Sequence, residues 1–273
     1  MPAGIVDSHA HLTWDSFLED RQAVIERALN AGVEQIVNVG VNIESIGDVL
    51  SLSERYQQIF AAVGVHPHEA ESWDEASENA LRQAAAQAKV VAIGESGLDF
   101  HYNLSVRERQ LDVFARQVEL ARELDKPLIV HSRDAWEETF EILHRHGKGQ
   151  VRGVFHCFTG NPDLLGAIAE LDFYVSFSGI LTFPKSSDIQ AAARLASFER
   201  LLVETDCPYL APQGKRGKRN EPSFVWLVAG KLAELRGCSI DDLAHLTATN
   251  ARRLFALPLP EPVEPARGDL TEP

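Results

Sequence analysis

Three cysteines in 273 residues, Cys157, Cys207 and Cys238, are too few and too odd in number for a disulfide framework, so the fold must stand on its apolar core. No apolar run approaches the ~18 residues of a membrane span, and the opening MPAGIVDSHAHL lacks the basic and apolar regions of a targeting signal. A reducing, cytoplasmic setting without membrane attachment is therefore expected. Positive charge is scarce too: Lys plus Arg total 26 against 40 Asp plus Glu, a net charge of −14 that argues against broad electrostatic wrapping of nucleic acid. A small cationic site, or one made cationic by bound metal, is still allowed. Neither GxGxxG nor GxxxxGK[ST] follows a strand-like segment, which weakens the case for a nucleotide-binding sheet. No GxSxG elbow or Ser/His/Asp arrangement supplies a nucleophile.

Apolar residues make up 45% of the chain and charged residues 24%, the balance of an ordinary globular enzyme. Eight short β-branched segments recur: GIVDSH from Gly4, QIVNVGV from Gln35, IFAAVGV from Ile59, VVAIGE from Val90, PLIVH from Pro127, VRGVFH from Val151, FYVSFSG from Phe173 and LLVETD from Leu201. Helical periodicity lies between them, as in 20–31, 43–57, 75–88 and 105–124. Asn161-Pro162 opens one helix and Glu221-Pro222-Ser223 another that runs to about Arg236. Apolar strands alternating with amphipathic helices imply a parallel sheet covered by helices. Eight such units at this length predict a single (β/α)8 TIM barrel over 1–257, with an open doubly wound sheet as the competing arrangement. The segment 258–273, PLPEPVEPARGDLTEP, is rich in proline and acid and is expected to be a disordered tail.

Ionisable groups gather at the carboxyl ends of these strands, where barrel active sites are built. The first ends in Asp7-Ser8-His9-Ala10-His11, and two-residue spacing on an extended segment points both histidines the same way. Glu95, His131, His156 and Asp206 end the fourth, fifth, sixth and eighth segments. Four imidazoles and two carboxylates form a mixed N/O donor set suited to divalent Zn, Mn, Fe, Ni or Mg. Six groups exceed the three or four of one site, so two divalent metal ions are expected, with Glu95 placed to bridge them. Glu204, two before Asp206, is expected to face the barrel mouth, as partner to a ligand histidine or as a participant in proton transfer. Cys157 and Cys207, each next to a ligand, are expected to turn outward into the core.

The motifs DSHAHL, GVHPH, GESGLD, VHSR, FHCFTG, ETDCPYL and RNEP stand in an order and spacing in which the chain resembles the TatD family of metal-dependent deoxyribonucleases, within the amidohydrolase superfamily. The resemblance covers essentially the whole chain up to the tail. It implies that His9, His11, Glu95 and Asp206 hold one metal and Glu95, His131 and His156 the second. It further implies that His66 borders the substrate and that the activity is a 3′ to 5′ exonuclease. Asp99 is expected to orient a ligand from behind. Ser96 departs from the aliphatic residue usual in the GExGLD motif, and GLDFHYN replaces a more aromatic run; neither touches a ligand.

The loop Gly214-Lys215-Arg216-Gly217-Lys218-Arg219-Asn220-Glu221-Pro222 carries four positive charges before a helix start. It is expected to grip phosphate, with Arg219, Asn220 and, from another strand end, Arg133 as substrate contacts. Phe100, Tyr102 and Trp136 are candidates for base stacking or for core packing. The expected reaction is hydrolysis of a phosphodiester by a metal-activated water, with Glu204 or Asp206 managing the proton. A deep mouth favours single-stranded DNA attacked from an end, and a monomer is the default. The alternatives are an amidohydrolase or lactonase using the same ions on a small ester or amide, and a non-catalytic protein that keeps the metals for stability.

Overall fold

A computed structural model of the chain describes residues 4–260. Most of the strand-forming segments are buried along their whole length on both faces, and β2 and β5 are interrupted only by Glu34, His131 and Arg133, as a helix-covered parallel sheet requires. They are β1 (Ile5–Ala10), β2 (Val33–Val39), β3 (Ile59–Val63), β4 (Val90–Asp99), β5 (Leu128–Arg133), β6 (Gly153–Phe155), β7 (Phe173–Phe177) and β8 (Leu201–Val203), paired in parallel in sequence order. The helices are α1 (Arg21–Asn30), α2 (Ile46–Arg55), α3 (Glu75–Ala85), α4 (Arg107–Glu123), α5 (Trp136–Gly147), α6 (Leu164–Glu170), α7 (Ser187–Leu195), α8 (Val225–Arg236) and α9 (Ile240–Phe255).

β1 and β8 close the ring. Ala10 bridges Cys207, the Asp206 N–H donates to the His9 carbonyl at 2.9 Å, and the His11 N–H donates to the Cys207 carbonyl at 2.8 Å. The architecture is a TIM barrel, and the open-sheet arrangement is excluded. Between strands and helices lies one apolar layer, with Ile36, Ile93, Val130 and Phe155 facing outward. The lumen holds a second, in which Val37, Phe60, Ile129 and Tyr174 meet Ala248, Ala251, Leu254 and Phe255 of α9. That helix, which the strand-and-helix rhythm did not foretell, plugs the amino-terminal end of the barrel. Arg252 binds Gln35 at 3.0 Å, and Asn250 donates to the Leu201 carbonyl at 3.0 Å, both at strand beginnings.

Three strand lengths differ from the sequence reading. β4 runs four residues past Glu95 to Asp99, because its glycines serve pairing rather than a turn. A Cβ on Gly97, at φ +141°, would lie 1.9 Å from the His131 carbonyl oxygen, so only glycine lets β4 lie this close to β5. β6 and β8, in contrast, stop after three residues, before the histidine and aspartate that follow them. Residues 261–273 of the expected tail lie outside the described residues, and at its start the Pro258 carbonyl accepts a hydrogen bond from Gln35 at 2.8 Å. Among the described residues no helix is long and apolar enough to cross a membrane.

Candidate metal centre

The His11 Nδ1–H donates to the Val39 carbonyl at 2.9 Å, which leaves its Nε2 lone pair facing the site. That Nε2 lies 3.1 Å from His9 Nε2, 3.4 Å from Asp206 Oδ1 and 3.7 Å from Glu95 Oε2. His9 Nε2 is in turn 3.3 Å from Glu95 Oε2 and 3.8 Å from Asp206 Oδ1. Ligands ~2.0–2.1 Å from one tetrahedral ion stand ~3.3 Å apart, and His9, His11 and Asp206 are close enough together to hold one divalent cation, with Glu95 Oε2 beside the two histidines. Asp206 reaches the group from a left-handed backbone, φ +57°, a conformation aspartate tolerates better than most residues.

The other carboxylate oxygen of Glu95 faces a second set. Glu95 Oε1 is 2.7 Å from His156 Nε2, 3.1 Å from His131 Nδ1 and 3.4 Å from His66 Nε2. One buried carboxylate thus offers one oxygen to each of two imidazole groups, as a bridging ligand would. Behind them stand further acids. Asp99 Oδ2 accepts from His131 Nε2 at 3.2 Å and from His68 Nε2 at 2.9 Å, leaving the His131 Nδ1 lone pair for the site. Glu204 Oε1 lies 3.3 Å from His156 Nδ1 and accepts the Cys157 N–H at 2.6 Å.

The electrostatics favour a cation. Burial opposes ionisation of Glu95, yet the imidazoles of His156, His66 and His131 hold its pKa well below the usual range. Burial also disfavours charge on Asp206, and the His11 hydrogen bond with the nearby His9 and His156 outweighs it. Without metal, protons answer these anions. Burial works against imidazolium at His11, His131 and His156, but neighbouring carboxylates raise all three, chiefly Asp206 at His11, Asp99 at His131 and Glu95 at His156. Burial keeps His9 and His66 neutral, the latter pushed down to about 4 despite Glu95. Asp7, under the site, is raised to about 8 by burial against the opposing hydrogen bonds from Thr205.

These groups form the floor of a cavity of about 850 Å³, whose walls include His66, Arg133, Tyr102, Trp14 and Tyr209. All six expected ligand residues stand in this cluster, His9 beneath the cavity floor, and His66, expected beside the substrate, brings its Nε2 to 3.4 Å from Glu95 Oε1. Arg133 lines the wall with its guanidinium 4.6 Å over the Tyr102 ring.

Several expectations need correction. Glu204 does not reach the mouth, because β8 has already ended at Val203 and the strand alternation that would align it with Asp206 is lost; it is fully buried behind His156. Cys157 does not turn outward: at φ +42° it lines the cavity, its Sγ 3.1 Å from Ser178 Oγ, whereas Cys207 is buried in the core. The basic loop is not brought to the cavity. Arg219 pairs with Asp20 at 2.6 Å and with the Ser16 carbonyl, while Lys215 and Arg216 sit over Phe224 and Phe183. Asn220 is buried and donates to the Thr205 and Tyr209 carbonyls at 2.8 and 2.6 Å, so it pins the loop after β8. Trp136 packs against Phe155 and Phe158, and Phe100 lies under Arg107. Trp14 and Tyr209 went unnoticed in the sequence, although each stands three residues after a ligand, on the turn that the ligand begins.

A closed barrel carrying two donor sets around one shared glutamate at its carboxyl mouth defines a metal-dependent hydrolase. The family described as TatD related DNase matches residues 6–256. The chain is 41% identical over 253 residues to YabD of Bacillus subtilis, an uncharacterized metal-dependent hydrolase, covering 93% of this chain and 99% of that one. It is 35% identical to the 3′-5′ ssDNA/RNA exonuclease TatD of Salmonella typhimurium, covering 91% and 98%. The crystal structure of YJJV, a TatD homolog from Escherichia coli, superposes with a TM-score of 0.88 at 33% identity, over 93% of this chain and 98% of that one. The chain belongs to the TatD family and is a hydrolase acting on ester bonds.

Proposed function

We propose that this hydrolase uses two divalent ions to cleave the terminal phosphodiester of a single-stranded nucleic acid, DNA in the first instance, from its 3′ end. The observation that carries the reading is the division of the Glu95 oxygens between two donor sets at the floor of a one-ended cavity of about 850 Å³. Such a pocket receives a strand end rather than the flank of a duplex. The relatives named as 3′-5′ ssDNA/RNA exonucleases support the polarity and the substrate class.

His9, His11, Glu95 and Asp206 would hold one ion and Glu95, His131 and His156 the other, with His66 beside the second. When bound, the ions supply Lewis acidity toward phosphate oxygens and lower the pKa of water to ~7. Asp206 is anionic and open to the cavity, so it can take the proton of the attacking water. The water oxygen bonds to phosphorus, the P–O3′ bond breaks, and the 3′ oxygen leaves protonated; the products are a nucleoside 5′-monophosphate and a strand shorter by one residue. Glu204 and Asp99 hold His156 and His131 in orientation, and Arg133 offers a fork to a phosphate.

Elemental analysis, followed by incubation of 3′- and 5′-labelled single strands with Mn, Mg, Zn and Ni, tests the reading. The expected result is stepwise shortening from the 3′ end, abolished by Glu95→Ala. Absence of turnover with every metal rejects it. A second reading, a small-molecule esterase or amidase, is favoured by one observation: among the described residues, Arg133 is the single Lys or Arg lining the cavity. A lactone or amide turned over with a higher kcat/KM than any oligonucleotide would establish that alternative.

A further inference from the structure

We infer that Trp14 and Tyr209 form the seat of a nucleobase at the mouth, an inference that rests on the nucleic-acid reading above. The two walls of the cavity differ in kind. On the β4–β5 side stand Arg133, His101 and Asp134, with the Tyr102 ring covered by the Arg133 guanidinium; on the β1–β8 side stand Trp14, Tyr209 and Leu210, which are aromatic or apolar. A nucleotide has the same division, with an anionic phosphate at one end and a flat apolar base at the other.

The rings of Trp14 and Tyr209 meet at 87° with centroids 5.2 Å apart, making a corner with two differently oriented faces. Tyr209 is 50% exposed, so its ring is open to a ligand at the mouth. The corner is rigidly tied to the metal centre. Trp14 packs on the ligand His11, with centroids 5.1 Å apart. The Tyr209 N–H donates to the Asp206 carbonyl at 3.0 Å, and its own carbonyl accepts from buried Asn220 at 2.6 Å. Both aromatics therefore hold a fixed distance from the reacting ester, on the opposite side from Arg133. Stacking on such faces tolerates any base, because every base has a π face.

The test compares single strands carrying a natural base or an abasic tetrahydrofuran at each of the last two 3′ positions, with wild-type, Trp14→Leu, Tyr209→Leu and Tyr209→Phe holoenzymes. Wild type should prefer the natural base at one of the two positions through a lower KM, by roughly 5- to 150-fold for ~1–3 kcal/mol of stacking. The two leucine variants should lose that preference, whereas Tyr209→Phe, which keeps the ring, should retain it. Fluorescence anisotropy of the same strands bound in EDTA should show the same order. Wild-type turnover with equal KM for natural and abasic ends overturns the aromatic seat and leaves the nuclease reading standing. Loss of the preference in Tyr209→Phe as well also overturns it. Absence of wild-type turnover on every strand overturns the nuclease reading, and the seat with it. If Trp14→Leu fails to fold, the two Tyr209 variants decide.

Discussion

His131 stands between two acids, its Nδ1 3.1 Å from Glu95 Oε1 and its Nε2 3.2 Å from Asp99 Oδ2. The outer bond fixes which nitrogen carries the proton and so aims the lone pair at the site. Asp99→Asn keeps the volume but offers the ring a weaker and ambiguous partner. Metal affinity should fall roughly 10- to 100-fold, measured by isothermal titration with Mn, while the melting temperature of the metal-free protein changes little. An unchanged affinity would show that the Asp99 contact does not orient the ligand.

Metal binding should release protons. In the metal-free protein His11, His131 and His156 are raised above the ordinary histidine range by neighbouring carboxylates, against the opposing effect of burial. A bound ion needs those nitrogens deprotonated, so affinity should climb as pH rises through and above ~6.5. Calorimetry in buffers of different ionisation enthalpy reads the proton count directly. A count of zero at pH 6.5 contradicts the expectation.

Arg133 and the basic loop should separate cleanly. If Arg133 forks a substrate phosphate, Arg133→Gln should lower kcat/KM on single strands by about 10- to 100-fold, for ~1.5–3 kcal/mol per charged hydrogen bond. Lys215→Gln, Arg216→Gln and Lys218→Gln combined should matter far less, because the loop does not reach the cavity. Steady-state kinetics at two salt concentrations checks both, and a larger effect from the loop would reverse the assignment.

Glu221 secures that loop to α1 through Arg27, with Nη2 2.6 Å from Oε2. Burial opposes ionisation of Glu221, but hydrogen bonds from Arg27 and Ser223 hold its pKa below the ordinary value. A lowered folded-state pKa means the stabilisation is present above ~4.3 and is lost as pH falls through the folded value. Because Arg27 is 47% exposed, the bond is worth only ~0.5–1 kcal/mol. Glu221→Gln should lower Tm by about 2 °C at pH 7, with the gap to wild type closing in acid; thermal unfolding across pH 3–7 tests it.

Helix α9 can be probed through Leu254, which is 1% exposed against the lumen. Leu254→Ala should cost ~2–5 kcal/mol of unfolding free energy, read by denaturant titration. A cost under ~1 kcal/mol would mean that the helix does not plug the barrel.

The barrel was legible because β-branched segments recur with helical stretches between them, and the cluster of candidate ligands because each falls on or just beyond the carboxyl-terminal part of a strand. What escaped the sequence lies where regular structure stops. Alternation put Glu204 beside Asp206 and turned Cys157 outward, but β8 and β6 end before these residues and left-handed backbone at Asp206 and Cys157 redirects the chain. Charge and a place before a helix start assigned the basic loop to substrate, whereas its partners, Asp20 and the rings of Phe224 and Phe183, could not be read from the loop itself. α9 was missed because it follows the eighth unit, where the rhythm of strand and helix has already run out.

The plug formed by Ala248, Ala251, Leu254 and Phe255 makes the barrel a vessel with one opening. Nothing can thread through it. If the cleavage proposed above takes place at the floor, the released nucleotide and the shortened strand share that doorway. The strand end would then have to draw back for the product to leave. That traffic favours a stepwise, distributive pattern of cleavage over a long processive run.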